Sequence, residues 1–489
     1  MKRTIKNLIR LSVAAFAVMM IINGCSPQKN TGNMPVTTSS KKAKSLFKEA
    51  QALMFRDKNK EAQPLLTSAL QLDKNFALAN LYYGFSGVSN AEMQQYVDAA
   101  YQSKDKVSEP ERHYIMAISA YLKGNRDETL KEMKTAIDLC PRDKYLLYDM
   151  ANTYANYAQY DNALEYIKRC VETDTTFAYA LNYEGYILFR LGKPEEAEAL
   201  YKKSIQMDPG ITSFYNNYGQ LLRSKGAFDE AIEMHKKAIG IEPNYMSYLY
   251  LGHCYVANGQ YPAARENYTK AFDVSVNPSQ KNFCLTSVAY THLYEGSFPD
   301  ALAAFDKQID FDRQAGKMDN SIINITAYKC FCCLLYNDLK KAEELNNEAK
   351  GLISKLDLTE RDRNSFVKDT LFWNAYVNLF TGKTAEAQKC LDQYEKCLTD
   401  QEKKDAEKDL AVLQGIIEYF KHNYKEATLN LEKSDGQLGM YYNALAYEKM
   451  KNNDKAKEVL SEIVKNNLTS FEIAVTRPLA REKLEELSK

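Results

Sequence analysis

The sequence predicts an all-α protein built as a linear array of helical hairpins, and three observations carry that expectation. Small residues recur in pairs twelve positions apart along most of the chain, and ten of the eleven second members are Ala. Only 12 Pro and 20 Gly interrupt a chain otherwise rich in good helix formers. At 489 residues the chain is too long for one compact core, whereas an array grows without limit.

The N-terminus is set aside first. Lys2, Arg3, Lys6 and Arg10 precede an apolar stretch from Leu11 to Ile22, too short to span a bilayer and suited to a signal-peptide core. It ends in Ile22-Asn23-Gly24-Cys25, which resembles the lipobox of bacterial lipoproteins. The resemblance implies removal of residues 1–24 and acylation of Cys25, a stable anchor because each buried CH₂ contributes about 0.8 kcal/mol. By analogy with the usual sorting rule, Ser26 rather than Asp implies the outer membrane of a Gram-negative envelope, its periplasmic or surface face left open. Residues 25–41 are polar, with two Pro and no apolar period, and read as a flexible tether reaching on the order of 20 Å.

The repeat is clearest in TSFYNNYGQLLRSKGAFDEAIEMHKKAIGIEP, from Thr212 to Pro243. Gly219 sits in a first helix, Gly226 in a turn, Ala231 and Ala238 in a second helix, and Pro243 closes the unit. This resembles the tetratricopeptide repeat, a helix–turn–helix unit whose two helices approach closely at small residues. The preceding unit repeats the spacing with Gly185, Gly192, Ala197 and Pro209. The twelve-residue interval runs Ala50–Ala62, Ala117–Thr129, Ala151–Ala163, Gly185–Ala197, Gly219–Ala231, Gly252–Ala264 and Ala289–Ala301. It continues through Cys330–Ala342, Ala375–Ala387, Gly415–Ala427 and Ala444–Ala456, and a degenerate unit at Gly84 brings the expected count to about twelve. Units are 33 to 34 residues apart through the middle, then 37, 41, 45, 40 and 29. We therefore expect regular repeats over 42–318 and longer, divergent ones over 319–468, with a soft boundary in Asp312–Ser321. Residues 469–489 break the pattern and read as a C-terminal capping helix. Thr476-Arg477-Pro478 is its expected start, and Leu479, Leu484 and Leu487 cover the last repeat.

Composition excludes several classes. Lys plus Arg and Asp plus Glu are 64 each, without a basic stripe, so nucleic acid is not an expected partner. The nine cysteines after Cys25 are irregularly spaced, and Cys330, Cys332 and Cys333 lack a second ligand pair at zinc spacing. Core packing is the expectation for them, with no metal and no cofactor. None of the five His sits in a catalytic motif, and no nucleophile elbow or phosphate loop is present, so no enzyme activity is expected.

The resemblance implies a superhelix whose first helices face a concave groove. Residues three before and one after each small site approximate that surface: Tyr148 with Asn152, Asn182 with Tyr186, Asn216 with Gln220, Leu249 with His253, and Thr286 with Tyr290. With Asn217, these make an amide- and tyrosine-rich groove that is nearly uncharged, suited to an extended peptide or a helix. Some family members grip C-terminal carboxylates with Lys and Arg there, and such residues are missing from these positions. The expected function is a lipid-anchored scaffold binding an envelope protein or peptide segment, principally over 182–253. The alternative is a surface lipoprotein for glycan uptake, a class that usually adds long loops bearing exposed Trp. This chain has one Trp, on an expected helix.

Overall fold

The computed structural model describes residues 32–315, 320–355, 360–466 and 469–489; the expected signal segment and Cys25 lie outside them. The described residues form 26 α-helices and a short 3-10 turn, with no strand. The chain divides into two compact units, Met1–Pro209 and Gly210–Lys489.

Unit 1 holds five hairpins. They are α1 (Lys41–Met54) with α2 (Asn59–Leu72), α3 (Ala77–Gly84) with α4 (Asn90–Gln102), and α5 (Glu109–Leu122) with α6 (Arg126–Leu139). Then come α7 (Lys144–Asn156) with α8 (Tyr160–Thr173), and α9 (Ala178–Arg190) with α10 (Pro194–Met207). Unit 2 begins with α11 (Thr212–Ser224) and α12 (Phe228–Ile241), α13 (Tyr245–Ala257) and α14 (Tyr261–Val274), and α15 (Pro278–Glu295) and α16 (Phe298–Gln314). It continues with α17 (Asn320–Leu335) and α18 (Leu339–Lys355), then α19 (Glu360–Phe380) and α20 (Thr384–Cys397). A one-turn helix, α21 (Asp400–Asp405), leads to α22 (Glu407–Phe420) and α23 (Tyr424–Leu431), α24 (Gln437–Lys449) and α25 (Asn453–Lys465), and the terminal α26 (Phe471–Leu487).

The small sites are where each hairpin closes. Ala62, Ala151, Ala163, Ala197, Ala231, Ala264 and Ala387 are all fully buried. A Cβ at Gly252 would lie 2.4 Å from the Tyr268 ring, one at Gly219 would lie 2.6 Å from His235, and one at Gly185 would lie 2.9 Å from Tyr201. The large partner is sixteen positions on in each case; beside Ala50, Ala117 and Ala151 that slot holds Leu66, Met133 and Ile167. Volume is thus exchanged across the pair at constant packing. Seven residues after each small site the backbone turns with positive φ. Gly192, Gly226 and Gly259 do so without a steric penalty, and Asp57, Ala158 and Asn337 occupy the same slot at φ of 56–62°.

Three boundaries differ from the sequence reading. The break between compact units follows Pro209 rather than lying within 312–321. The stretch about Asp312 is tied into the array, since that buried carboxylate accepts from Asn282 Nδ2 at 2.9 Å and Ser321 Oγ at 2.7 Å. Residues 33–39 are not a free tether. The Met34 N–H donates to Asp143 Oδ2 at 2.7 Å, the Thr37 N–H to Glu111 Oε1 at 2.8 Å, and Thr38 Oγ1 to Asp73 Oδ2 at 2.7 Å. Three carboxylates on successive repeats meet the backbone and hydroxyls of a segment too polar to look structured.

Helix α26 starts five residues before the expected Thr476, with Ser470 as its N-cap and Pro478 inside it. Its second half does cover the last repeat, where Leu484 and Leu487 join Leu460 and Ile463. Its first half does something else. Phe471 packs on Tyr290 of α15 and on Tyr328 and Phe331 of α17. The Leu438 N–H at the start of α24 donates to Glu472 at 2.6 Å. The terminal helix therefore lies against α15, α17 and α24, three of the first helices of unit 2.

Candidate functional site

The positions selected from sequence separate into three groups. Tyr148 and Asn152 line an open cavity in unit 1. Asn182, Asn216 and His253 are buried and tied within the fold. Asn182 Nδ2 donates to Ser204 Oγ at 2.9 Å, Asn216 Nδ2 donates to Ser247 Oγ at 2.9 Å, and Asn216 Oδ1 meets His235 Nδ1 at 3.0 Å. His253 Nδ1 meets Tyr268 Oη at 2.7 Å, and burial, with Arg223 nearby, lowers its pKa to about 3. Residues three before a small site face the neighbouring helix as often as the groove, and short amides reach across to pair there.

Leu249 is buried in the core, and the remaining positions are half-buried. Tyr186 stacks on Tyr183 with centroids 5.4 Å apart. Gln220 accepts from Arg223 at 3.0 Å, while its own Nε2 is buried with no hydrogen-bond partner among the described residues. Asn217 lies on α11. Tyr290 is beneath Phe471 of α26 and so is already occupied. The expected continuous face over 182–253 is not formed as a set of accessible side chains.

The cavity around Tyr148 has a volume of about 440 Å³, in the usual range for a ligand pocket. Its floor comes from the first helices α3, α5, α7 and α9, which contribute Tyr82, Tyr114, Tyr121, Asp149 and Tyr179. A wall comes from the α1–α2 turn, with Met54, Phe55 and Asn59. Phe55 is seated edge-on against Tyr148 at 5.3 Å and Tyr179 at 5.4 Å, and Tyr179 Oη donates to Asp57 Oδ1 at 3.2 Å. Arg56 forms a two-pronged pair with Asp208 at 2.9 and 3.1 Å. The first hairpin turn thus reaches the fourth and fifth hairpins and closes one side of the concave face.

Asp149 brings a carboxylate into this cavity, a group that the expected, nearly uncharged set of groove residues does not include. It accepts from Tyr114 Oη at 2.7 Å. Burial raises its pKa to about 7, against the Tyr114 hydrogen bond and with some help from Asp143. Among the described residues no Lys, Arg or His lines the cavity. Polar side chains sit at its rim, where Asn152 Oδ1 accepts from Tyr183 Oη at 2.8 Å and Asn156 Nδ2 donates to Tyr121 Oη at 3.0 Å.

The offsets that gave Tyr148 and Asn152 also give Tyr114 and Ile118 when applied to Ala117, and both line the cavity. Asp149 was visible only as a charge two residues before Ala151. Nothing local marks Phe55 or Tyr179, which arrive through the closure of the first turn.

Among the described residues no group of His, Cys, Asp and Glu is arranged to hold a metal ion. Seven cysteines, Cys330, Cys332 and Cys333 among them, are buried in the core, and burial pushes the Cys330 thiol up to about 12. No described helix is long and apolar enough to cross a membrane.

Comparison with known proteins agrees with this architecture. Tetratricopeptide repeat profiles match residues 145–177, 178–211, 212–245 and 439–467. The photosystem I assembly protein Ycf3 of Rippkaea orientalis is 31% identical over 112 residues, 21% of this chain, which spans 65% of that relative. A tetratricopeptide repeat protein from Parabacteroides merdae is 15% identical, covering 51% of this chain and 99% of its own, with a TM-score of 0.38. A thermophilic tetratricopeptide protein of Thermus thermophilus is 19% identical, covering 37% of this chain and 98% of its own, with a TM-score of 0.34.

Proposed function

We propose that this chain, which carries tetratricopeptide repeats, is a lipid-anchored scaffold that holds an envelope protein or peptide segment at the concave face of unit 1. The observation that carries this reading is a contrast between the units. First helices of unit 1 present an open cavity of aromatic and amide side chains, whereas α15, α17 and α24 of unit 2 are covered by α26. Aromatic rings give contact area at low entropic cost, and rim amides can pair with the backbone of an extended segment.

The anchor rests on the lipobox-like Ile22-Asn23-Gly24-Cys25. Because residues from 33 onward are bound to unit 1, the leash is short. Residues 26–32 extend to at most ~25 Å, so unit 1 rides close to the membrane carrying Cys25. The glycan-uptake alternative draws no support here. Trp373 is packed among Phe331, Phe372 and Tyr376 rather than standing on a loop.

The test is a photo-crosslinking amino acid placed in the native cell at Asn156 on the cavity rim, or at exposed Lys134 on α6. Capture of one defined envelope protein from Asn156 and not from Lys134 is expected. Equal capture from both sites, or from neither, would overturn the assignment of the cavity as the partner site.

A further inference from the structure

The cavity of unit 1 carries an electrostatic asymmetry that a general peptide groove does not need. Asp149 sits at its floor, half-buried, and Tyr114 is its one side-chain hydrogen-bond donor among the described residues. The other lining groups are tyrosine rings, aliphatic and phenyl side chains, three Asn and a Thr. A carboxylate drawn out of water without a counter-charge is costly. That cost appears as the raised pKa of Asp149, whose largest cause is burial.

We propose that this cavity is a receptor for one organic cation, an ammonium or guanidinium group on a side chain of the bound partner, with Asp149 as its counter-ion. The inference rests on the scaffold reading above and names what the cavity recognises. Three features fit the cation together. The carboxylate supplies charge and hydrogen-bond acceptors for N–H donors. Tyr82, Tyr114, Tyr148 and Tyr179 supply rings, whose faces attract a cation held within about 6 Å. Asn152 and Asn156 at the rim supply amides for the backbone that carries the side chain. An acidic peptide end is disfavoured by the same geometry, since its charge would meet Asp149.

The binding surface needs the α1–α2 turn in place, because Phe55 walls the cavity against Tyr148 and Tyr179. The experiment therefore uses the full chain. Calorimetric titrations at pH 8.5, where Asp149 is ionised, compare acetyl-Gly-Lys-Gly-amide with its norleucine counterpart and with n-butylammonium. The lysine peptide should bind at least ten-fold more tightly than the norleucine peptide, a comparison that needs no variant. Asp149→Asn should remove that preference. Weaker binding of n-butylammonium than of the lysine peptide assigns the cation to a polypeptide side chain. Equal binding assigns it to a free amine and overturns that source. Equal affinity for the two peptides, absence of binding by both, or a lysine preference that survives Asp149→Asn overturns the proposal. The crosslink at Asn156 reports separately. A partner captured there by a protein without lysine preference leaves the scaffold standing and sinks the receptor, and the reverse pair of results does the opposite.

Discussion

The Tyr114 hydroxyl donates to Asp149 across 35 positions of sequence, joining the first helices of two successive repeats beneath the cavity of unit 1. Burial of that carboxylate, only partly offset by the bond, makes the stability of unit 1 depend on pH.

With its pKa raised from 3.8 to about 7, Asp149 binds a proton in the folded state over a range where the unfolded chain has released it. Stability therefore falls as pH rises from about 4 to 7, and the penalty is complete above that. Asp149→Asn removes it. We expect the variant to match the wild type near pH 4 and to exceed it at pH 8 by on the order of 1–3 kcal/mol, measured by urea unfolding. The groups facing Asp149 do not mimic the effect. Burial raises Tyr82, Tyr114, Tyr148 and Tyr183 above their ordinary phenol range and pushes Cys170 up to about 12. Asp143, also raised, remains in the variant. A variant less stable than wild type at pH 8 would contradict this account.

Two glycine substitutions should move stability in opposite directions. Gly252→Ala places a Cβ 2.4 Å from the Tyr268 ring, and overpacking of that kind costs roughly 1–3 kcal/mol. Gly240→Ala, in α12 with nothing within 4 Å of the added atom, should gain up to ~1 kcal/mol of helix propensity. Thermal melts of the pair decide it, and the order of the two midpoints is the reading.

Asn216→Ala should act on the fold and not on the partner. It strips the pairing from Ser247 and His235, both fully buried, and an unmet buried polar group costs about 1–3 kcal/mol. A fall in unfolding midpoint with the Asn156 crosslink retained is the expected result.

Tyr294 joins α15 to the start of α26, since its hydroxyl donates to the Ser470 C=O and accepts from the Ser470 N–H, both at 3.1 Å. Tyr294→Phe should loosen the first turns of α26 and leave the end packed on α25 in place. Hydrogen exchange at amides 473–477 should quicken several-fold more than at 481–485.

Cys25→Ala tests the anchor. The altered precursor should keep its signal segment and lose the lipid, read by mass spectrometry of the membrane fraction. Normal processing and acylation would remove the lipobox interpretation.

Most of the repeat frame was legible in the sequence because its determinants are local and steric. A small residue, a turn seven positions later and an Ala twelve positions later specify a hairpin without reference to anything distant. The same local logic misplaced Asn182, Asn216 and His253, since an amide or imidazole beside a small site reads alike whether it faces a groove or the next helix. Residues 33–39, Phe55 and the first half of α26 were beyond that logic. Each is held by partners about 34 to 176 positions away, and no spacing within a repeat encodes them.

The return of α26 to α15 changes how unit 2 is expected to come apart. A linear repeat array has only nearest-neighbour coupling, so it frays from its ends and individual hairpins open independently. Joining Tyr294 to Ser470 bridges 176 positions and closes the segment from α15 to α26 into a loop in which no hairpin is terminal. Opening any one of them strains the shared closure, so these hairpins should melt together in one sharp transition. Their formation should also be slower than in an open array, because the last-made helix must find a site laid down near the beginning of the segment.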